Sequence, residues 1–424
     1  MAMIGYADAL QHLLDAVAPL SARPVPLEWA RDAVLAQCLV SPQCLPPFDN
    51  SAMDGFALHA GLAEIPAGSE FDVQGRLAAG DAFGPLAPGV WEIMTGAPMP
   101  PGLDSVVPIE QVEVLAHRQG QPSRIRLRQS IRPGQHVRLR GQDVATGAAV
   151  LPAGTRLGIN ETALLHALGI AQVPVRPAPA VAVLVSGREL VSEVDQRLLP
   201  GQIHDSNRPY LVARLQAAGA QVVWQGSVDD DPALFNAAID QASAAGAQIV
   251  VSTGAVSMGC HDFIPDALRA RGATIVFHKV AMRPGKPLLF ARLPDGALYF
   301  GLPGNPLSAA AGQRFFVEPL LRRMLGLPEE VPLRLPLQAP LRKLPGVRMH
   351  ALARVTLDAQ QRLGVQALPH QHSFRLMSLL RANAWVVPED DAEDVPAGTW
   401  VRVYGLGHHD AVRLEAAGPD DAQR

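Results

Sequence analysis

From Ala180 to Leu325 the sequence alternates short, nearly uninterrupted apolar runs with amphipathic stretches, and few folds accept such a string. The runs VAVLV (from Val181), AQVVWQG (from Ala220), AQIVVSTG (from Ala247) and ATIVFHKV (from Ala273) are strand-length. They lack the polar alternation of a strand with one wet face. Between them lie SNRPYLVARLQAAGA, which Ser206 opens as N-cap and Gly219 closes, and DPALFNAAIDQASAAG, with Pro232 in its first turn. Further helices are expected over Phe263–Arg271 and from about Pro306 to Leu325, and LLFARLPDGALYF reads as a hairpin. Strands apolar on both sides need cover on both faces, which implies a parallel sheet between two layers of helices.

The flanks read differently. Tyr6–Val17 and Leu27–Cys38 have helical periodicity, Phe71–Arg128 is a β-rich module, and a helix starts near Asn160. After Glu330 the strands shorten and surround one helix, SFRLMSLLRAN, as in a small terminal β-domain. A chain of 424 residues with 48% hydrophobic and 18% charged residues has core enough for two to four domains and is not disordered. No apolar run reaches the ~18 residues of a membrane span. With 36 basic against 40 acidic residues there is no basic excess for a nucleic acid. Cys38, Cys44 and Cys260 have neither ligand spacing nor an even count, which favours a reducing intracellular compartment, and the first residues lack the pattern of a signal peptide.

In an open α/β sheet, ligands bind beyond the carboxyl ends of the strands. Each end here carries glycine, hydroxyl or carboxylate groups: Ser186-Gly187-Arg188-Glu189, then Gly226 through Asp231, Ser252 through Asp262, and Gly301 through Pro306. In the third, Ser252, Gly254 and Ser257 precede a helix and suit an anion, typically phosphate. Lys279, Arg283 and Lys286 of HKVAMRPGKP could neutralise a polyphosphate, while Glu189, Asp230 and Asp262 could hold Mg²⁺. Taken singly, Asp230 and Asp262 read as helix caps and Asp229 and Asp231 as solvated surface. Cys260 reads as a small packing residue, and the pairs His370/His372 and His408/His409 as surface. PPFDNSAMDGFAL, in which Gly55 permits a tight turn, and MTGAPMPPG are polar, proline-flanked segments that also suit linkers and turns.

Taken together, PPFDNSAMDGFAL, IMTGAPMP, GQDV, GREL with GQIHDSN, STGAVSMG…D, RPGKP and GLPGNPLSA occur in the order found in molybdopterin molybdenumtransferases, and the chain also resembles the E domain of gephyrin. The resemblance covers nearly the whole chain. It implies an N-terminal helical segment (1–26), a small domain from 27–45 and 143–175, and a β-rich lasso domain (46–142) inserted into it. A three-layer α/β molybdopterin-binding domain (176–330) and a C-terminal β-barrel-like domain (331–424) complete the multidomain α/β fold. It further implies a cytoplasmic homodimer that takes adenylylated molybdopterin and molybdate, cleaves the pyrophosphate link with Mg²⁺ and releases AMP. A molybdopterin adenylyltransferase and molybdoenzyme acceptors would be its partners. By motif, Asp54 and Thr95 come from the lasso side of the cleft; Glu189, Asp230, Asp262, Lys279, Arg283 and Lys286 come from the α/β side of the other subunit. Pro303 and Pro306 shape a molybdate-binding loop, and Ser373 belongs to the C-terminal site motif.

Four positions depart from the family pattern. Arg188 stands where an acidic residue is usual, Ala255 where glycine is, Glu92 where a cation is, and His372 replaces the glycine before Ser373. These changes keep open a catalytically diverged cofactor carrier or scaffold. A molybdopterin adenylyltransferase is a further reading, because the α/β domain type is shared between the two steps, though the lasso and C-terminal domains argue against it.

Overall fold

The structure, a computed structural model, describes residues 3–81, 86–254, 263–358, 360–389 and 393–416. Contacts divide the chain into two units. One comprises Met1–Arg23, Asp32–Ala36 and Pro174–Arg424, the other Pro24–Arg31 and Gln37–Val173. Helix α1 (Tyr6–Asp15) belongs to the first, where Ala9 and Leu13, four residues apart, bury one face.

In the second unit, β1 (Gly55–Leu58), β2 (Glu70–Leu77), β3 (Val90–Ile93), β4 (Ser105–Pro108), β5 (Val112–Arg118) and β6 (Gln121–Leu127) form one sheet in the order β4-β1-β3-β2-β6-β5. Strand β1 is central and buried throughout. Phe56 and Leu58 face one apolar cluster with Val107 and Ile125, and Ala57 faces another with Leu77, Ile93 and Val106. Gly55 does not make the tight turn expected of it. A Cβ there would lie 1.9 Å from the Val107 carbonyl oxygen, so glycine is required for strand approach. Helix α2 (Ile159–Ala167) follows, with Glu161 accepting from the Gly158 N–H at 2.9 Å.

In the first unit, β7 (Ala180–Ser186), helix α3 (Asn207–Ala217), β8 (Gln221–Val228), α4 (Pro232–Ala244), β9 (Ile249–Thr253), α5 (Ile264–Ala270) and β10 (Thr274–His278) succeed one another as expected. After the short strand β11 (Met282–Arg283), β12 (Leu289–Arg292) and β13 (Leu298–Leu302) form the hairpin. The sheet order is β8-β7-β9-β13-β12-β10. Only β12 runs against the rest, so the sheet is mixed rather than wholly parallel. Alternate residues sort the two faces. Val181, Val183, Ile249, Val251 and Phe300 pack with α1 and α3, while Ala182, Leu184, Val250 and Tyr299 pack with α4 and α5, giving the three layers.

The helix from Pro306 is continuous but not uniform. It runs as α6 (Pro306–Gly312), a π-helical turn over Gln313–Val317 and α7 (Glu318–Leu325), and ends at Gly326 with φ +67°. Gly312 lets it lie close on the sheet, because a Cβ would meet Leu302 at 2.9 Å.

Beyond it, β14 (Leu333–Pro336), β15 (Arg348–Met349), β16 (Ala351–Leu357), β17 (Leu363–Ala367), helix α8 (Leu376–Arg381), β18 (Ala384–Val387) and β19 (Trp400–Tyr404) complete the unit. The sheet path β14-β19-β18-β16-β17 returns on itself through a bridge between Leu337 and Val365, which gives the barrel-like closure. Val355, Val365, Val386, Val401 and Val403 fill it. No helix of the described residues is long and apolar enough to cross a membrane.

Candidate functional site

The strand order reverses at β7: the chain leaves it for β8 on one side and returns to β9 on the other. That reversal opens a crevice at the carboxyl ends of β7 and β9. The first groups there are tightly fixed. Ser186 Oγ donates to Asp230 Oδ1 at 2.7 Å, tying the end of β7 to the loop after β8, and Gly187 N–H donates to the Val228 carbonyl at 3.1 Å. The Glu189 carboxylate folds back on Gly187, where a Cβ would stand 2.7 and 2.8 Å from its two oxygens. Gly254, with φ +93°, closes the other side; a Cβ there would lie 2.1 Å from the Ser186 carbonyl oxygen. The loop after β13 comes alongside, so that a Cβ on Gly304 would touch the Gly254 backbone at 3.7 Å.

Two residues not singled out from the sequence support this loop. Asn207 Nδ2 donates to the Gly304 carbonyl at 2.7 Å. Asp205, its side chain 1% exposed, accepts from the Arg208 N–H at 3.0 Å and faces the Arg208 guanidinium at 3.2 Å. Asp205 therefore caps α3 in place of Ser206, whose side chain makes no cap bond. The cap of α4 is Asp231 rather than Asp230: Asp231 Oδ1 accepts from Ala233 and Leu234 N–H at 2.7 and 3.0 Å. That leaves Asp230 to Ser186 and the crevice. The GQIHDSN motif held the signal for Asp205 and Asn207; the cap by Asp205 is local, while the role of Asn207 depends on a loop 97 residues away.

The basic segment lies in the same unit. Lys279 has φ +77°, and its N–H donates to the Leu288 carbonyl at 2.9 Å; the Val280 N–H donates to the Lys286 carbonyl at 2.9 Å. Arg283 and Lys286 are exposed. Strand β11 pairs in parallel with β15 of the C-terminal part, and Arg283 there opens onto a cavity of about 560 Å³. Arg342, Lys343, Gln371 and His372 share its lining with Glu393 and Asp394. His372 stacks on Phe374 with centroids 5.8 Å apart, and the Ser373 carbonyl accepts the Leu307 N–H at 2.9 Å, joining the C-terminal motif to the start of α6. Pro303 is buried and Pro306 occupies the first turn of α6.

In the second unit, Asp54 and Thr95 meet. Thr95 N–H and Oγ donate to Asp54 Oδ1 at 2.7 and 2.8 Å, and the backbone donor is the main cause holding the Asp54 carboxyl below its ordinary range, with Arg76 adding to it. Arg76 sits on β2 in register with Glu92 and reaches Met94 Sδ at 3.4 Å. A cation is thus present beside this pair although position 92 is acidic. No sequence spacing between residues 54, 76 and 95 announces it.

Several expectations are corrected. Ser252 is fully buried and shares a hydrogen bond with Tyr299 Oη, so its hydroxyl is taken up in the core rather than open at the strand end. His408 is buried, with Nε2 3.2 Å from the Ala218 carbonyl, not at the surface. Ser257, Asp262, Cys260 and Ala255 lie outside the described residues. Among the described residues no cluster of three His, Cys, Asp or Glu side chains could hold a metal ion alone. Glu189 follows β7 and Asp230 follows the neighbouring β8, hard carboxylates of the kind that suits Mg²⁺ completed by phosphate oxygens and water.

A three-layer sheet with carboxylates at its switch point, and a basic segment in the same unit, fits a class of α/β proteins that bind phosphate-bearing ligands. The comparisons narrow the class. Residues 4–169 match the MoeA N-terminal region (domain I and II), residues 182–323 a probable molybdopterin-binding domain, and residues 334–406 the MoeA C-terminal region (domain IV). A molybdopterin molybdenumtransferase of Synechococcus elongatus is 37% identical over 417 residues, covering 95% of this chain and 100% of the relative. Molybdopterin molybdenumtransferase 2 of Mycobacterium tuberculosis is 36% identical, over 90% and 94% of the two chains. The crystal structure of a molybdopterin biosynthesis protein, MoeA, of Pyrococcus horikoshii superimposes with a TM-score of 0.78 at 27% identity, over 95% and 100%. The chain belongs to the molybdopterin molybdenumtransferase family.

Proposed function

We propose that this protein inserts molybdate into adenylylated molybdopterin and releases AMP. The observation that carries the reading is the pairing, in one unit, of strand-end carboxylates Glu189 and Asp230 with the exposed cations Arg283 and Lys286, in a chain of this family. The phosphoanhydride of the substrate is the bond to break. Water adds to phosphorus, the P–O bond of the link cleaves, AMP leaves, and the proton lost by water passes to bulk solvent. Lys279, Arg283 and Lys286 hold anionic oxygens of substrate and molybdate. Glu189, Asp230 and Asp262 would hold Mg²⁺, which when bound offsets phosphate charge. The Ser186 hydroxyl fixes one Asp230 oxygen and so restricts the side chain at the end of β7.

The test is AMP release from adenylylated molybdopterin with Mg²⁺, with and without molybdate. Release that depends on molybdate is expected, and Asp230→Asn should lower kcat by about 10²-fold or more. Well-folded protein that binds the substrate but releases no AMP would point to a carrier, and consumption of ATP to an adenylyltransferase. We also propose a cytoplasmic homodimer in which Asp54 and Thr95 serve the substrate held by the partner subunit. Mixing inactive Asp54→Ala with inactive Glu189→Ala protein should then restore part of the activity by forming mixed dimers. No restoration after verified subunit exchange would rule that arrangement out.

A further inference from the structure

The basic segment does not hold its own course. Ile4 forms a bridge with Val280: the Ile4 N–H donates to the Lys279 carbonyl at 3.1 Å, and the Ala281 N–H donates to the Ile4 carbonyl at 2.9 Å. On the other side, the Arg348 N–H donates to the Ala281 carbonyl at 2.9 Å and the His350 N–H to the Arg283 carbonyl at 2.8 Å. Residues 279–283 are thus the middle of a three-strand ribbon whose outer members are Ile4 and β15. The strained point of that ribbon is Lys279, a residue with a Cβ at φ +77°, and such a conformation persists only where surrounding bonds over-determine it.

The strap is anchored two residues on. Tyr6 Oη donates to the Phe315 carbonyl, inside the π-helical turn, at 3.3 Å. The Tyr6 ring lies 5.1 Å from that of Phe316 and 4.3 Å from the Arg348 guanidinium, and Ile4 and Tyr6 both pack on the main core. An anchored segment of this kind transmits register through the backbone, because its hydrogen bonds are to main-chain atoms and do not depend on the side chain at position 4.

We infer that Ile4–Tyr6 is a positioning strap that sets the aim of Lys279 and Lys286 at the oxyanion ligand of this site; this rests on the reading that those lysines bind anionic oxygens. Ile4 touches no substrate and acts through its N–H. The test compares Ile4→Pro, which removes that N–H, with the conservative Ile4→Ala, which keeps it, in the full chain. Molybdate is titrated calorimetrically, and AMP release is measured at saturating molybdate. Ile4→Pro should weaken molybdate binding about five-fold, the scale of one hydrogen bond, with kcat unchanged, and Ile4→Ala should bind like the parent. Equal binding by both variants overturns the strap. Lys279→Ala separates the two ideas: if it binds molybdate like the parent, the underlying reading fails; if it weakens binding while Ile4→Pro does not, only the strap fails. Should Ile4→Pro not fold, hydrogen exchange on the unmutated protein decides. The Ala281 amide, donated to Ile4, should exchange more slowly with molybdate bound, and an unchanged rate overturns the inference.

Discussion

Individual side chains in the crevice divide into those that hold its shape and those that face out of it. Gly254 belongs to the first kind, because the Ser186 carbonyl occupies the space a Cβ would need and the backbone is at φ +93°. Gly254→Ala should force β7 and β9 apart at their ends and lower kcat about 10²-fold, the scale of a 1 Å misplacement, with a lower melting temperature. Ser252 is of the same kind. Tyr299→Phe would leave its hydroxyl buried without that partner and should cost about 1–3 kcal/mol in a urea titration while leaving KM and kcat for AMP release unchanged. A raised KM would instead place Ser252 against the substrate. Glycine motifs and strand-end hydroxyls could be picked out from the sequence. Which hydroxyl the core takes up could not, since Ser252 and Ser186 both end apolar runs and lie on the same face of the sheet, and only the partner each meets, Tyr299 or Asp230, tells them apart.

At the scale of elements, the helix over Pro306–Leu325 was plain from its apolar spacing, but its π-helical turn was not. That turn carries Gln313 and Arg314, and α7 begins at Glu318; all three are buried. Arg314 donates to the Gly405 carbonyl at 3.0 Å and to Glu330 at 2.6 Å, and lies 3.4 Å from Glu318. Glu318 accepts from the His408 N–H at 2.8 Å and from Gln313 at 3.2 Å. A buried pair of this kind is destabilising to break and cheap to replace whole. Arg314→Met alone should cost about 3–5 kcal/mol, and Arg314→Met with Glu318→Leu distinctly less, by chemical denaturation. Additive losses would show that the pair is not coupled. In sequence, QRFFVE gave no warning, because its partners Glu330, Gly405 and His408 lie far along the chain.

For the whole molecule, two buried histidines of the first unit, His350 and His408, bear on pH. Burial is the main cause that pulls His350 well below its ordinary range, with Arg348 adding to it, and pushes His408 down to about 2. Both pKa values are depressed relative to about 6.5 in the unfolded chain, so the unfolded state takes up protons first. Their contribution to stability is complete above about pH 6.5 and is lost as pH falls below it, by up to about 1.4 kcal/mol per pH unit for each. His350→Leu should flatten the dependence of the unfolding free energy between pH 6.5 and 4.5; an unchanged slope would assign the acid sensitivity to other groups.

The sequence by itself determined the strand–helix alternation, the β-rich flanks and the family, because periodicity and short motifs are local and survive without the third dimension. Tertiary structure alone decided that Ser186 holds Asp230 and that Asn207 holds the Gly304 carbonyl. It also brought Arg76 beside Asp54 and laid Ile4 along Lys279. Each of these is a bond or a field between residues far apart in the chain. Spacing within a motif carries no information about such a partner, so register and packing must supply it.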